Sequence, residues 1–249
     1  MFSTSVPAEI CFFGYNAFLL KTQGKTIAID PGRNLSWSRP DSLIPRDRWQ
    51  EVDLILVSHA HPDHCYYALQ ISEASGADIV CGKDLERRYH RKGFRPIVLR
   101  PGGKVQRQGI NLLGIPVQHG PSFLSFLSLI GRWLRLPFLA SGSVGYLVDI
   151  SGLKLLTLGD TKMLDSWKPL KPHIFLAPIG GKVTLNAIEA LEAAEIFDAG
   201  LIIPCHYNCP FWFFKSLLWA DPHEFSRRLA ESGRNSVVLK ENECVSLNF

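Results

Sequence analysis

The chain lacks the features that mark disordered, secreted and membrane-spanning proteins. Its 249 residues contain no repeat, linker or low-complexity tract, and charged residues make up only 20% of them. Apolar residues make up 46%, which is enough for one substantial core and argues against disorder. The first nine residues have neither the basic start nor the long apolar run of a secretory signal. We therefore expect a folded cytoplasmic protein that forms one domain over residues 1–249.

The chain also lacks the cysteine spacing that is typical of zinc-binding or disulfide-rich proteins. Cys205 and Cys209 have a spacing that suits a metal ion, but no second such pair accompanies them, so a thiolate site is a minor alternative. Because no secretory signal is present, we expect all cysteines to be reduced thiols. The six cysteines are Cys11, Cys65, Cys81, Cys205, Cys209 and Cys244.

A strong excess of charge of one sign is absent as well. The net charge is +4, and without a clustered basic face this value indicates no nucleic-acid partner. The same mild positive charge is compatible with an acidic small molecule or with a membrane surface.

Apolar patterning and turn residues predict strands and helices in two β-rich halves. Residues 52–57 are continuously apolar apart from Asp53, which is typical of a strand buried on both faces. Ser151-Gly152 is a two-residue hairpin signal. We expect two sheets packed face to face beneath outer helices, an α/β fold. The predicted strands cover 9–13, 17–21, 25–30, 52–57, 77–81, 96–99, 110–118, 144–150, 153–158, 174–177 and 201–203.

Two helices are predicted in the second half. Thr184 is expected to cap the first of them, and the last helix, over 222–232, precedes a final pair of strands. The apolar face of the first helix is predicted to consist of Leu185, Ile188, Leu191, Ala194 and Phe197.

The motif with the most chemistry is Ser58-His59-Ala60-His61-Pro62-Asp63-His64, directly after the strand 52–57. His59 and His61 point to the same side of an extended segment, so both can reach one ion. Asp63 and His64 lie beyond the turn at Pro62, where the chain can double back to a second ion. Imidazole suits zinc, iron or manganese, and a carboxylate adds charge for a second cation. In the alternative interpretation, Asp63 caps a helix over 66–74 and each histidine packs separately.

Three further polar residues follow apolar runs and could complete a metal site. They are His119, Asp160 and His206. Gly120 and Gly159 stand beside two of them and permit close approach of the backbone. Taken singly, each of the three is equally compatible with a core or surface role.

Together these residues form two hypothetical donor sets. The first set is His59, His61 and His119. The second is Asp63, His64 and His206, with Asp160 as a bridge between the two. We assign structural roles to the remaining histidines, His90, His173 and His223.

This ligand pattern resembles that of the metallo-β-lactamase superfamily, over residues 9 to about 208. Finer features resemble its branches related to ascorbate-6-phosphate lactonase and N-acyl-phosphatidylethanolamine phospholipase D. The resemblance implies a four-layer αββα sandwich with its metals at one edge, between the sheets. His61 stands where flavodiiron oxygen reductases of the superfamily carry a carboxylate, which argues against redox chemistry. The finer features are the segment 13–20, Ile29-Asp30-Pro31, Gly159-Asp160-Thr161, Pro178-Ile179-Gly180-Gly181 and the segment 203–207.

The resemblance and the ligand set imply a binuclear metal-dependent hydrolase. A hydroxide bridging two divalent ions, oriented by the catalytic residues Asp63 and Asp160, would cleave an ester, lactone or phosphodiester bond. Zinc is the expected metal, and manganese or iron are the alternatives. The amides of Gly180 and Gly181 and the side chain of Lys182 are expected to bind substrate. Two other functions stay open: a non-catalytic metal-binding protein that kept the fold, and a nuclease.

Two apolar segments, near 121–140 and 209–220, follow His119 and His206. They could cover each other or form an interface in a homo-oligomer. They could instead form a lid for a lipid-like substrate or a peripheral membrane-docking surface. The first segment is too short and too charged for a comfortable membrane span. Its polar residues recur at helical spacing among phenylalanine, leucine and tryptophan, and they are Ser122, Ser125, Ser128, Arg132 and Arg135.

Overall fold

The computed structural model describes residues 6–36, 41–119, 142–208 and 220–249. Within these ranges the chain forms two seven-stranded sheets. The strands are β1 (Pro7–Phe12), β2 (Phe18–Thr22), β3 (Lys25–Ile29), β4 (Leu54–Val57), β5 (Asp78–Cys81), β6 (Ile97–Val98), β7 (Lys104–Arg107), β8 (Ile110–Ile115), β9 (Gly145–Ile150), β10 (Leu153–Thr157), β11 (Ile174–Pro178), β12 (Leu201–Cys205), β13 (Asn235–Ser236) and β14 (Glu243–Asn248).

The helices cover the outer faces of the two sheets. Three of them and a 3₁₀ helix, Arg46–Glu51, pack on the first sheet, and the last two pack on the second. The helices are α1 (Pro62–Cys65), α2 (Ala68–Ser75), α3 (Lys83–Arg91), α4 (Ala187–Phe197) and α5 (Pro222–Glu231).

The two sheets have matching topologies. The first has the strand order β14-β1-β2-β3-β4-β5-β6, and the second has the order β13-β12-β11-β10-β9-β8-β7. In each sheet four strands pair antiparallel and the next three continue in parallel, from β3 to β6 and from β10 to β13. The carboxyl ends of β3 and β4 therefore share one edge of the first sheet, and those of β10, β11 and β12 share one edge of the second.

Alternating side chains divide the core into three layers. In β4, Leu54 and Leu56 face the core between the sheets, whereas Ile55 and Val57 face the helices on the outside. The predicted two-sided burial of this strand is therefore confirmed, because all four residues are buried. The α/β fold with face-to-face sheets beneath helical layers is confirmed as well.

The strand predictions agree with the structure within a few residues, and the predicted hairpin is present. Ser151 and Gly152 both have positive φ, at 51° and 94°, between the antiparallel strands β9 and β10. This is the backbone geometry that a two-residue hairpin turn requires, and glycine adopts it readily.

Helix α4 begins two residues later than predicted, and its buried face differs. Asn186 is the N-cap, because its side chain accepts hydrogen bonds from the amides of Ile188 and Glu189. Thr184 is wrong as the cap, since its buried hydroxyl faces the amide of Thr161. Ile188 is also wrong as a core residue, being 59% exposed. The residues of α4 that are buried are Ala190, Ala193, Ala194 and Phe197.

The expectation that every cysteine is reduced is wrong for Cys11 and Cys244, which form a disulfide. Strand β14 pairs with β1 so that these two residues lie directly opposite each other. The chain separation of 233 residues hides this register from sequence reasoning. Cys65, Cys81 and Cys205 are free and buried, and Cys209 lies outside the described residues.

Helix α3 and strand β7 were not predicted, because their charged sequences carry little apolar periodicity. The two strands predicted after the last helix are present, and they join different sheets: β13 pairs with β12, and β14 pairs with β1. In the described ranges no helix is long and apolar enough to cross a membrane. The predictions for 121–140 and for most of 209–220 fall outside the described residues.

Candidate metal centre

The histidine motif occupies the edge where β4 ends. Strand β4 stops at Val57, and helix α1 begins at Pro62, whose fixed φ suits the first helical position. The N-cap of α1 is His61, and no side chain caps the helix. The alternative role of Asp63, as the cap of a helix over 66–74, is wrong, because α2 begins at Ala68 with Tyr67 as its N-cap and no side-chain cap. The carboxylate of Asp63 is therefore available for other contacts.

The seven candidate ligands lie together in two groups. Within each group, one nitrogen or oxygen atom per residue lies within 4.8 Å of the others. The groups match the two donor sets of the sequence analysis, with Asp160 counted in the first. The first group is His59, His61, His119 and Asp160, and the second is Asp63, His64 and His206.

Asp160 lies between the two groups and presents one carboxylate oxygen to each. Its Oδ2 is 3.7 Å from His59 Nε2 and 3.6 Å from His119 Nε2. Its Oδ1 is 3.1 Å from His206 Nε2 and 3.7 Å from His64 Nε2. This arrangement is what a bridging carboxylate between two cations requires.

Asp63 closes the second group. Its Oδ2 lies 3.5 Å from the Nε2 atoms of both His64 and His206, and those two nitrogens are 3.3 Å apart. The rings of His64 and His206 stack, with their planes 18° apart. Three donor atoms therefore converge on one small volume.

The donor chemistry fits a metal ion. His59 is fully buried, and its Nδ1 lies 3.0 Å from Ser58 Oγ, whereas its Nε2 has no hydrogen-bond partner. A buried polar nitrogen without a partner is costly, and a metal ligand has this arrangement: one ring nitrogen is held by a neighbour and the other is aimed at the ion. Oδ1 of the buried Asp160 likewise lacks a hydrogen bond.

Two imidazoles of the first group, those of His59 and His61, are held in the neutral form. Burial, and then the charge of His64, lowers the pKa of His59 well below its ordinary value. Burial lowers the pKa of His61 to about 4. Both rings are therefore neutral at neutral pH, which is the state that binds a metal.

The carboxylates are held in their ionised form. Burial would raise the pKa of Asp63, but His64 and His206 outweigh it and hold that pKa well below its ordinary value. Burial of Asp160 is likewise outweighed, chiefly by His206 and His64, so its pKa is also low. The acidic surroundings raise the pKa of His64 and of His206 in spite of burial. A divalent cation in this group would displace those protons.

Asp30, at the end of β3, positions the segment 58–64 that carries four of the candidate ligands, here called the ligand loop. Its Oδ1 accepts a hydrogen bond from the amide of Ser58, and its Oδ2 accepts one from Ser58 Oγ at 2.8 Å. Oδ2 also lies 2.9 Å from His64 Nδ1, so that Nε2 of this ring points to the second group. Sequence reasoning noted Asp30 as part of a family feature and missed this role. The signal was a carboxylate at the end of a buried strand.

Backbone contacts bring the ligands of the second sheet into place. The amide of Gln118 donates to Thr161 Oγ1, and the amide of Lys162 donates to the carbonyl of Gln118. These bonds hold the residues before His119 against those after Asp160. The amide of His206 donates to the carbonyl of Tyr15, which links the end of β12 to the first sheet.

Two glycines allow the close approaches that the site needs. A Cβ atom on Gly32 would lie 1.8 Å from the carbonyl oxygen of Asp63, and one on Gly159 would lie 2.4 Å from Ser58 Oγ. Gly159 also has a φ of +59°. The glycine predicted to permit close approach beside Asp160 therefore does so, whereas Gly120 lies outside the described residues.

The residues expected to bind substrate lie in the turn after β11. Gly180 forms a bridge with Asn186, and the amide of Gly181 donates to the carbonyl of Leu185. The Gly181 amide is therefore engaged within the turn. Lys182 is exposed. Substrate binding by these three residues stays a prediction.

Comparisons with known proteins identify the family and the fold of the chain. The model of the β-lactamase superfamily domain matches residues 9–206. A metal-dependent hydrolase of Thermoplasma volcanium is 30% identical over 249 residues, covering 97% of this chain and 100% of its own. A metallo hydrolase from the hyperthermophilic archaeon Ignicoccus hospitalis has a structure with a TM-score of 0.79 at 25% identity, over 98% of this chain and 99% of its own.

A third similar protein extends the likeness of fold. An isothiocyanate hydrolase from Delia radicum gut bacteria has a TM-score of 0.70 at 17% identity, over 97% of this chain and 100% of its own. At that identity the likeness concerns the fold alone. The matched domain, the relative and the arrangement of ligands lead to one assignment: the chain belongs to the metal-dependent hydrolases of the β-lactamase superfamily.

Proposed function

We propose that the protein is a hydrolase that holds two divalent cations, one in each donor group, and cleaves an ester, lactone or phosphodiester bond. Zinc is the metal we expect, because histidine nitrogens and carboxylate oxygens suit it, and manganese or iron would fit the same donors. The observation that carries the proposal is Asp160, which presents a different oxygen to each group.

Bound cations of this kind lower the pKa of a water molecule and polarise a carbonyl or phosphoryl oxygen of the substrate. The protein's own residues would hold the cations and place carboxylates beside the attacking water. Asp63 and Asp160 remain ionised because their pKa values are held low. Either carboxylate can therefore accept a hydrogen bond from the attacking water and fix its direction.

Nucleophilic catalysis by Cys65 or Cys205 is not needed and is disfavoured. Burial raises the pKa of Cys65 to about 12, and burial raises the pKa of Cys205 well above its ordinary value. Both side chains stay protonated thiols at neutral pH, and a thiol is a poor nucleophile.

The class of substrate follows from the oxygens that such a site can polarise, which belong to carbonyl and phosphoryl groups. The relatives named metal-dependent hydrolases support hydrolysis. We further propose that the substrate is lipid-like, because apolar sequences follow His119 and His206.

Hydrolysis of a panel of chromogenic phosphodiesters, lactones and carboxylic esters tests the proposal. Chelation should abolish turnover, and added zinc or manganese should restore it. His59→Ala should lower kcat/KM by at least about a hundredfold, because a ligand to the ion is lost. His90→Ala, on the exposed side of α3, serves as the control and should leave the rate unchanged. Turnover that survives both chelation and His59→Ala would contradict the proposal.

A further inference from the structure

A concentration of positive charge lies outside the metal centre, on α3 and the strands that follow it. Residues 83–107 contain nine lysines and arginines but only two acidic residues, so this stretch is more positive than the whole chain. The cluster escapes a count of net charge because acidic residues elsewhere offset it.

Helix α3 turns most of its cations outward, although the half-buried Arg88 donates to Cys65 Sγ. Leu85 and Tyr89 are buried against the first sheet, whereas Arg87 and Arg91, four residues apart, are exposed and lie side by side. Arg100, after β6, lies near the start of α3, because the amide of Leu99 donates to the carbonyl of Cys81, directly before the N-cap Gly82. The helix and the turn after β6 therefore form one cationic surface.

Most of this charge has no acidic partner. Lys83 pairs with Glu86, and Arg107 pairs with Asp78. Six exposed cations have no carboxylate within 4.0 Å among the residues that the structure describes. We call them the basic face, and they are Arg87, Arg91, Lys92, Arg95, Arg100 and Lys104.

The basic face adjoins the metal centre. Asp84, in the first turn of α3, accepts a hydrogen bond at 2.9 Å from the amide of Ala60, which lies between two candidate ligands. Gly142 packs against the start of the same helix, since a Cβ atom on Gly82 would lie 2.1 Å from its carbonyl oxygen. The described chain therefore stops at His119, in the metal centre, and resumes at Gly142, beside α3.

The sequence of that intervening chain indicates which anion the basic face meets. Residues 121–140 are rich in phenylalanine and leucine, and they add only two arginines. Nucleic acid offers phosphates, and bases on which aromatic rings can stack, but it offers no apolar layer for the six leucines of this segment. A phospholipid surface offers anionic headgroups above an apolar layer.

We propose that the basic face binds the anionic headgroups of a phospholipid bilayer and thereby holds the metal centre at the membrane surface. The attraction is electrostatic, so it depends on anionic lipid and weakens with salt. The proposal does not require bound metal, because none of the six cations is a candidate ligand.

Vesicle co-sedimentation of the full chain tests this inference. The protein should bind phosphatidylcholine vesicles that contain phosphatidylglycerol, with little binding to phosphatidylcholine alone, and added salt should release it. Arg87→Glu with Arg91→Glu should weaken binding by at least about tenfold, because each cation near the surface contributes to affinity. The experiment is repeated with chelator. Vesicle binding should be the same without metal, so this test of docking does not depend on the two-metal proposal.

The control is the pair Lys168→Glu and Lys171→Glu, which changes the net charge equally. These two lysines lie at the core between the second sheet and its helices, away from α3. Lys168 follows the buried Trp167, and the amide of Lys171 donates to the carbonyl of Phe197. This pair should bind vesicles like the unaltered protein. Arg87→Gln with Arg91→Gln, the milder change, should also weaken binding, and circular dichroism checks that each variant is folded.

Three results would overturn the inference. One is equal binding to neutral and anionic vesicles, and another is equal weakening by the control pair. The third is tight, salt-dependent binding of RNA or DNA without binding to anionic vesicles, which would assign the basic face to nucleic acid.

Discussion

Asp30 shows how a single residue can govern the metal centre without joining either donor group. Its two oxygens hold Ser58, at the start of the ligand loop, and the Nδ1 side of His64. A carboxylate that bonds a ligand's far nitrogen fixes the orientation and the tautomer of the ring and increases its basicity. Metal affinity therefore depends on a residue 34 positions away from the ligand that it orients.

Asp30→Asn should weaken metal binding by about 10- to 100-fold, the usual effect of losing such a partner. The amide group cannot accept hydrogen bonds from both Ser58 Oγ and His64 Nδ1 while it also serves the amide of Ser58. Competition with a chromogenic chelator measures the affinity.

Asp198→Asn is the control for this change, because Asp198 is exposed at the end of α4 and far from the ligands. An affinity for metal that is equal in both variants and in the unaltered protein would show that Asp30 does not position His64.

At the scale of single residues, the sequence predicted the candidate metal ligands better than the residues that position them. All seven candidate ligands lie together, because each follows a strand whose carboxyl end reaches the same edge. The roles of Asp30 and Asp84 depend on hydrogen bonds between residues 24 to 34 positions apart. Such contacts are set by packing of elements and leave no local pattern.

At the scale of elements, the loop after β3 packs directly on helix α1. Gly32 lies so close to Asp63 that a Cβ atom would fall 1.8 Å from its carbonyl oxygen and 1.9 Å from its carbonyl carbon. The amide of Arg33 also donates to the carbonyl of Pro62. The position of α1, and so of Asp63 and His64, is fixed by backbone against backbone.

Gly32→Ala should therefore displace α1 and destabilise the fold by about 2 kcal/mol, as overpacking against rigid backbone does. We also expect weaker metal binding, because Asp63 and His64 move with the helix. Urea unfolding in chelator measures the stability, and metal titration measures the affinity.

Gly200→Ala provides the comparison, since its added Cβ atom would lie 3.2 Å from the carbonyl oxygen of His173, far from the metal centre. It should cost less stability and leave metal affinity unchanged. Equal effects on metal affinity in the two variants would contradict the account.

Local sequence predicted most strands, because those strands are apolar and end in turn residues. It missed α3, whose outward face is so charged that the two buried residues, Leu85 and Tyr89, give a weak apolar pattern. It also placed the start of α4 at Thr184, although both Thr184 and Asn186 are cap-forming residues. The tertiary contact of Thr184 with Thr161 decides between them.

At the scale of the whole molecule, the metal centre joins two sheets of matching topology. The first sheet supplies His59, His61, Asp63 and His64, and the second supplies His119, Asp160 and His206. Neither half holds a complete donor set, because His119 completes the first group and His206 completes the second. The site thus depends on the packing of the sheets across their shared core.

Sequence patterns predicted two sheets beneath helices, but not how the ends of the chain are used. Strand β14 crosses back to the first sheet and pairs with β1, where Cys11 and Cys244 join. A pairing over 233 residues depends on the register of the finished fold, which periodicity along the chain does not encode.

The metal content of the purified protein tests the central claim most directly. Elemental analysis by mass spectrometry should find two divalent ions per chain after loading and removal of excess metal. His61→Ala and His206→Ala should each retain one ion, because each removes a ligand from a different group. A single ion per chain in the unaltered protein, lost in both variants alike, would contradict the two-metal account.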